Sequence, residues 1–178
     1  MSKIGRKPIE IGGTQIEIKD GEISYKGKKA SGVYVLDKGL STELKGNELY
    51  IVPKTVTPDT NRLWGLHRAL LANRIKGADT GFEKQLRIVG LGYKAELTGS
   101  KIQFSLGYSH KIDRELPKDV TVEIDKSKQL MTFRSFDRDL LGQVCSDVRA
   151  LRPPEPYKGT GIQYVNEVII RKAGKAKS

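Results

Sequence analysis

Hydrophobic and polar residues alternate through much of the first eighty positions, which is the pattern of half-buried β-strands. Alternation over 15–18 and 22–26 flanks Lys19-Asp20-Gly21. This predicts a β-hairpin, because Asp-Gly readily supplies the positive φ angles of a tight turn. A looser alternation over 40–44 and 48–52 surrounds a second polar turn and predicts a second pair of strands.

A helix is expected after this strand region, because the apolar spacing changes from two to three or four residues. Asp59, Thr60 or Asn61 is a candidate cap, and Gly77 is a candidate end. The apolar residues at helical spacing are Leu63, Leu66, Leu70, Leu71 and Ile75.

The second half repeats this order of patterns. Alternation predicts strands over 93–97 and 102–106, around the turn Thr98-Gly99-Ser100, and again over 120–124 and 131–134. A helix then follows over 140–151, capped by Asp137 or Asp139 and stopped by Pro153-Pro154.

The two halves align as an internal repeat with a period of about 80 residues, which is too long for a solenoid unit. The segment 63–75 aligns with 140–152, and Ile23 and Tyr25 align with Ile102 and Phe104. We therefore predict an α+β fold of two duplicated small domains, each an antiparallel sheet packed with one main helix. The expected boundaries are 1–82, 83–170 and a basic tail at 171–178, with 82–91 passing from the first domain into the second.

Charge favours a polyanionic partner. The 178 residues include 32 Lys and Arg against 21 Asp and Glu, which gives a net charge of +11. The positive residues cluster at 3–7, at 171–177 and in the acid-free segment 60–77. Nucleic acid is the first expectation for such a protein, and an anionic membrane surface is a distant second.

Composition excludes several classes of protein. Cys145 is the sole cysteine, so an intrachain disulfide and a cysteine-based zinc cage are excluded, and a reducing, cytosolic setting is expected. No apolar run approaches the roughly 20 residues of a membrane span. The basic start of the sequence lacks the apolar stretch of a secretory signal.

The sequence motifs give little support to an enzymatic function. Gly90–Ala95 matches the dinucleotide fingerprint in its Gly/Ala form, but that fingerprint must open a helix and the residues after it alternate as a strand. His67 lies within the first predicted helix, and Cys145 occupies an apolar position of the second. We predict no enzyme, no cofactor, no metal and no small-molecule substrate.

Aromatic residues near glycine or lysine are better candidates, because such loops offer stacking rings beside phosphate-binding charge. Tyr108 and Tyr157 lie in Gly- and Pro-containing loops and are predicted to contact RNA. Tyr93 fits contact and ordinary packing equally well, whereas Tyr164 is predicted to be an ordinary strand residue.

Residues 153–164 read PPEPYKGTGIQY, which resembles the signature loop PEPYKGKGIRY of the bacterial large-subunit ribosomal protein six family, the universal L-six family. The segments SKIGRKPI, RLWGLHRALLAN, VGLGYKA and LGYSH are similar to the family as well, so the resemblance covers essentially the whole chain. The sequence departs from the signature at Thr160 and Gln163, where the family usually has lysine and arginine.

This resemblance implies two duplicated α+β domains and a structural role in the large ribosomal subunit. It implies binding to 23S rRNA near the sarcin–ricin loop, mainly through the second domain. The implied location is the cytoplasmic ribosome, at the stalk base, near the subunit interface and the elongation-factor site. Neighbouring large-subunit ribosomal proteins would be partners, and elongation factors would come transiently close.

The residues expected to contact RNA lie in two loops, in the segment around Tyr93 and in the basic stretches at both ends of the sequence. RNA would order these basic stretches. The expected contact residues are Lys3, Arg6, Lys7, Tyr93, Lys94, Tyr108, Ser109, His110, Lys111, Arg152, Pro156, Tyr157, Lys158, Gly159, Arg171, Lys172, Lys175 and Lys177.

Two alternatives remain at this point. A free-standing nucleic-acid-binding regulator should form a symmetric dimer or recognise a sequence. No recognition helix with base-reading residues is evident in the sequence. A hydrolase would use His110 with Ser109 and Asp113, although adjacent Ser and His rarely present that geometry.

Overall fold

The chain divides into two compact units in the computed structural model, which describes residues 2–19 and 21–174. The first unit comprises the chain up to Gly81 together with 136–138, and the second comprises Phe82–Ser135 and the residues from Asp139 onward.

Within the described residues, the first unit consists of antiparallel strands and a long helix. They are β1 (Ile9–Glu10), β2 (Gln15–Lys19), β3 (Glu22–Lys26), β4 (Ser31–Val35), β5 (Leu40–Lys45), β6 (Glu48–Pro53) and α1 (Pro58–Asp79). The strands form two sheets with the orders β2-β3-β4 and β1-β6-β5.

The predicted hairpin is confirmed, since β2 pairs with β3 in the register Ile18↔Ile23. Gly21 lies at φ +86°, as the turn requires, while Asp20 lies outside the described residues. The second predicted pair is confirmed as β5 and β6.

The helix α1 forms where the apolar spacing predicts it, but both of its ends differ from the prediction. Thr57 is the cap: its side chain accepts from the Thr60 amide, and the Thr60 hydroxyl accepts from the Thr57 amide. Asp59, Thr60 and Asn61 therefore lie inside the first turn, because Pro58 is the first helical residue. The helix continues past Gly77 to Asp79.

One face of α1 covers the core of the first unit. Leu71 and Ile75 are fully buried against Ile9, Ile23 and Leu49. Leu66, which the spacing placed on the apolar face, is instead 52% exposed.

Within the described residues, the second unit repeats the combination of antiparallel strands and a helix. Its elements are β7 (Phe82–Val89), β8 (Lys94–Thr98), β9 (Lys101–Ser105), β10 (Ile112–Glu115), β11 (Val120–Ile124), β12 (Leu130–Ser135), α2 (Arg138–Leu151) and β13 (Gly161–Tyr164). Its sheets have the orders β10-β9-β8 and β11-β12-β7-β13.

The segment predicted to pass between the domains is largely strand β7, and β7 lies between β12 and β13 within the second unit's sheet. Leu86 and Ile88 on this strand are buried with Phe104 and Phe133. The strand thus belongs to the core that supports the C-terminal loops.

The predicted fold class is confirmed: the structure is α+β, and each unit packs a helix on antiparallel strands. Aligned positions of the repeat have the same role, since Ile23 and Ile102 are fully buried, as are Leu71 and Val148. Each unit has two antiparallel sheets where one was expected. No helix in the described residues is long and apolar enough to cross a membrane.

Candidate nucleic-acid interface

Four side chains from three segments of the second unit form a stack that we call the aromatic ladder: Tyr93, Arg152, Tyr108 and His110. The Arg152 guanidinium carbon lies 5.2 Å from the ring centre of Tyr93 and 4.9 Å from that of Tyr108. The rings of Tyr108 and His110 are stacked, with centres 6.4 Å apart and planes 25° apart. These distances are within the range of cation–π and stacking attraction.

Hydrogen bonds hold the ladder to the end of α2 and the end of β9. Arg152 Nη1 donates to the Leu106 carbonyl at 2.8 Å, and the Tyr108 hydroxyl donates to the Leu151 carbonyl at 3.1 Å. The rings and the cation are therefore fixed at several points, while Tyr108 remains 46% exposed.

Two glycines allow the Tyr93 ring to lie directly on the backbone. A Cβ atom at Gly90 would lie 2.6 Å from this ring, and one at Gly107 would lie 2.8 Å from it. Tyr93 thus packs within the unit, and the glycine run before it leads into β8 rather than opening a helix.

The signature loop (153–160) is a turn closed by backbone hydrogen bonds. The Glu155 amide donates to the Thr160 carbonyl at 3.1 Å, and the Ile162 amide donates to the Arg152 carbonyl at 2.7 Å. Pro156, Tyr157 and Lys158 at its tip are exposed, whereas Gly159 is buried. The loop thus presents a ring and a cation to solvent.

The two departures from the family signature lie away from that exposed tip. Thr160 is half-buried with its methyl group against Gly90. Gln163 is a half-buried residue of β13 and pairs with Arg87. Neither residue is one of the exposed residues at the tip, Pro156, Tyr157 and Lys158.

After a turn at 165–166, the chain returns to the loop without forming a helix or a strand, and we call residues 165–172 the C-terminal strap. The Lys172 amide donates to the Pro156 carbonyl at 2.8 Å. The Arg171 guanidinium lies against Gly159, 3.4 Å from where a Cβ atom of that glycine would be. Arg171 and Lys172 therefore lie beside the signature loop, whereas a flexible tail was expected; Lys175 and Lys177 lie outside the described residues.

The predicted N-terminal contacts belong to the first unit. Lys3 and Arg6 lie in a turn, and exposed Lys7 follows it. Arg68 of α1 holds this segment by donating to the Lys7 carbonyl at 3.1 Å and to the Pro8 carbonyl at 2.6 Å. The segment is thus fixed to α1, where a flexible stretch was expected.

The other predicted contacts are exposed around the ladder. Ser109 and Lys111 flank His110, and the Lys111 ammonium donates to Gln103 Oε1 at 2.9 Å. Lys94 lies 3.3 Å from a carboxylate oxygen of Glu96. All of these side chains lie in the second unit.

The residues considered for catalysis have structural partners. His67 Nδ1 lies 2.7 Å from the Tyr34 hydroxyl. Burial raises the pKa of the Cys145 thiol to about 11, as expected for an inert core cysteine. Asp113 accepts from Gln103 Nε2 at 3.0 Å, and no group of three or more His, Cys, Asp or Glu residues in the described chain could hold a metal ion.

Sequence reasoning missed one ion pair that supports the strap. Arg149 of α2 donates from Nε and Nη2 to the two carboxylate oxygens of Glu167, at 3.0 and 2.5 Å. A signal was available, because Glu167 is the sole acidic residue after Glu155 in a stretch rich in lysine and arginine.

Comparison with known proteins identifies the family. Residues 89–165 match the family model described as ribosomal protein L6. The chain is 43% identical to the large ribosomal subunit protein uL6 of Desulfatibacillum aliphaticivorans, over 98% of both chains. It is 42% identical to the uL6 protein of Syntrophomonas wolfei, over 99% of this chain and 98% of the relative. It is also 42% identical to the uL6 protein of Chlamydia trachomatis, over 99% of this chain and 97% of the relative. On these matches, the chain belongs to the ribosomal protein L6 family.

Proposed function

We propose that this protein binds 23S rRNA near the sarcin–ricin loop, mainly through the loop surface of its second unit. As a member of the ribosomal protein L6 family, it is a structural constituent of the ribosome and not an enzyme. Its relatives are named as proteins of the large ribosomal subunit. The proposed location is the stalk base of that subunit, near the subunit interface and the elongation-factor site.

The observation that best supports the proposal is the convergence of charge and exposed rings on one loop. Lys158, Arg171 and Lys172 form no ion pair with any described residue. They lie on or beside the signature loop, whose tip also exposes Tyr157. Cations without a carboxylate partner can neutralise phosphates without first breaking an internal ion pair.

The aromatic ladder adds a surface of a different chemistry. Tyr108 is held by Arg152 and by the Leu151 carbonyl, so presenting its ring to RNA costs little side-chain entropy, and the His110 ring stacks on it. Exposed rings of this kind stack on unpaired bases, and nearby lysines bind phosphates. The arrangement suits recognition of a folded RNA shape with little base-specific reading.

The first unit would contribute a second contact through Lys3, Arg6 and Lys7. Its fixed turn supplies cations in a defined position. Neighbouring ribosomal proteins at the stalk base would complete the surroundings, and elongation factors would pass transiently close.

Co-sedimentation on sucrose gradients tests this proposal. The protein should migrate with the large subunit at moderate and at high salt, and it should protect nucleotides around the sarcin–ricin loop from chemical probes. A soluble peak away from ribosomes would favour a free nucleic-acid-binding regulator. Protection confined to another rRNA region would refute the proposed site while leaving the ribosomal role intact.

A further inference from the structure

The C-terminal strap is held near its start and near its end, with little apolar support between them. Near its start, the Val165 amide donates to the Gln85 carbonyl of β7 at 3.1 Å. Val168 is 89% exposed and Ile170 is 83% exposed, and the described residues of the strap form no strand of a sheet. Its position therefore depends on polar contacts near its start and near its end.

Glu167 provides the side-chain contacts near the start. Its carboxylate accepts two hydrogen bonds from Arg149 on α2 and one at 3.1 Å from the Tyr164 amide at the end of β13. The Glu167 amide in turn donates to the Tyr164 carbonyl at 3.0 Å. One side chain thus joins the helix, the edge strand and the strap.

The contact near the end of the strap places two cations at the signature loop. The Lys172 amide donates to the Pro156 carbonyl, and the Arg171 guanidinium lies against buried Gly159. Three residues separate Glu167 from Arg171, so a fixed Glu167 limits how far Arg171 and Lys172 can lie from it.

We propose that Glu167 and Arg149 form a latch that positions Arg171 and Lys172 beside the signature loop before RNA binds. Glu167 is a positioning residue, since it touches no RNA itself under this proposal. The hydrogen bonds from Arg149 lower the pKa of Glu167, so its carboxylate stays ionised to a more acidic pH than that of an ordinary glutamate. The proposal rests on the proposed rRNA-binding function and adds a residue that lies outside the signature at residues 153–164.

The latch predicts that removing the charge of Glu167 weakens RNA binding, whereas long-range electrostatics alone does not. Glu167→Gln removes a negative charge from a basic surface, and long-range attraction alone would leave RNA binding unchanged or tighten it. Loss of the latch instead leaves the strap to be ordered during binding, at an entropic cost. We expect Glu167→Gln to weaken binding by about fivefold or more, the change expected if at least one more residue must be ordered.

The matched control is Glu123→Gln. Glu123 lies in the same unit and pairs with an arginine, since Arg134 Nη1 lies 2.6 Å from its carboxylate. Both variants make the same charge change and remove one Glu–Arg pair. Glu123→Gln should bind the RNA as well as the parent protein or better.

The test measures the Kd for a 23S rRNA transcript that contains the sarcin–ricin loop, together with amide hydrogen exchange of the free protein. In Glu167→Gln, the Lys172 amide should exchange at least about tenfold faster, while the Ile162 amide, bonded to Arg152, stays protected and reports an intact fold. The exchanged pair Arg149→Glu with Glu167→Arg should recover at least part of both effects.

The outcomes separate the latch from the function on which it rests. If the parent protein fails to bind the transcript, the proposed function is wrong, and exchange at Lys172 still tests the latch. If the parent binds and Glu167→Gln binds equally well or more tightly, the latch is refuted. Unchanged exchange at Lys172 in that variant would also refute it.

Discussion

At the scale of single residues, the guanidinium of Arg152 is the centre of the aromatic ladder. It lies between the rings of Tyr93 and Tyr108 and donates to a backbone carbonyl. Lysine keeps the positive charge, but its ammonium group lacks the planar face and the fixed N–H donor geometry of the guanidinium group. We expect Arg152→Lys to lower the free energy of unfolding by roughly 1–2 kcal/mol, because the ring contacts weaken and a hydrogen bond is removed.

Chemical denaturation of Arg152→Lys should be compared with that of Arg87→Lys. Arg87 is an exposed residue on β7 of the same unit, so this control should change stability by less than about 0.5 kcal/mol. Equal effects at the two positions would show that the ladder adds no stability.

Motifs singled out the residues of this candidate interface one by one but did not show their arrangement. Tyr93 and Tyr108 lie in glycine-containing loops, and the sequence could not show that Gly90 and Gly107 both pack under the Tyr93 ring. Arg152 lies far along the chain from both tyrosines, at the end of α2. Only the fold brings it between them, so the ladder could not be predicted from spacing.

At the scale of secondary-structure elements, the start of α1 shows how a local rule can point to the wrong residue. Several residues near this end can cap a helix. Because Pro58 occupies the first helical position, the residue before it, Thr57, is the cap. Thr57→Ala should lower the free energy of unfolding by about 1 kcal/mol. Asn61→Ala should lower it by less, because Asn61 Oδ1 is buried without a hydrogen-bond partner among the described residues. Thermal unfolding of the two variants checks this order, and a larger effect at Asn61 would contradict it.

The strands that were predicted have five or six residues and a visible alternation, whereas β4 and the eight-residue β7 were not predicted as strands. Ile102 and Phe104 on β9, for example, are fully buried and alternate with residues that face away. The short strands β1 and β10 were missed, since two to four residues contain too few alternations to stand out. β13 was missed for a second reason: it begins at Gly161, a residue typical of turns.

The C-terminal strap should respond to pH through Glu167. Its pKa is lowered in the folded protein, first by the hydrogen bonds from Arg149 and also by the Tyr164 amide. A lowered pKa adds stability that is fully present above the ordinary glutamate value of about 4.3 and is lost as pH falls through the folded value. The difference in unfolding free energy between the parent and Glu167→Gln should thus be constant near neutral pH and shrink below about pH 4. Denaturant titrations across this range measure it, and a difference that grows on acidification would contradict the pairing.

At the scale of the whole molecule, the net charge of +11 predicted the class of partner, but it did not indicate which surface is proposed to bind that partner. The acid-free stretch of α1 suggested a basic face. In the structure, Arg62 pairs with Asp59, and Arg68 donates to the carbonyls of Lys7 and Pro8. Cations with internal partners contribute less to phosphate binding than cations without them.

The salt dependence of RNA binding tests that distinction for the protein as a whole. Neutralising Lys158 together with Arg171, Lys172, Lys175 and Lys177 should weaken binding and flatten the dependence of log K on log salt, by roughly 0.7–0.9 for each phosphate that is no longer neutralised. The control neutralises five lysines that each lie within ion-pair distance of a carboxylate: Lys19, Lys28, Lys45, Lys101 and Lys128. Both proteins have five fewer positive charges, so a general field effect would shift their affinities equally. A clearly smaller slope of log K against log salt in the first variant alone would assign the phosphate contacts to the signature loop and the C-terminal residues. Equal slopes in the two variants would mean that net charge, rather than this surface, determines binding.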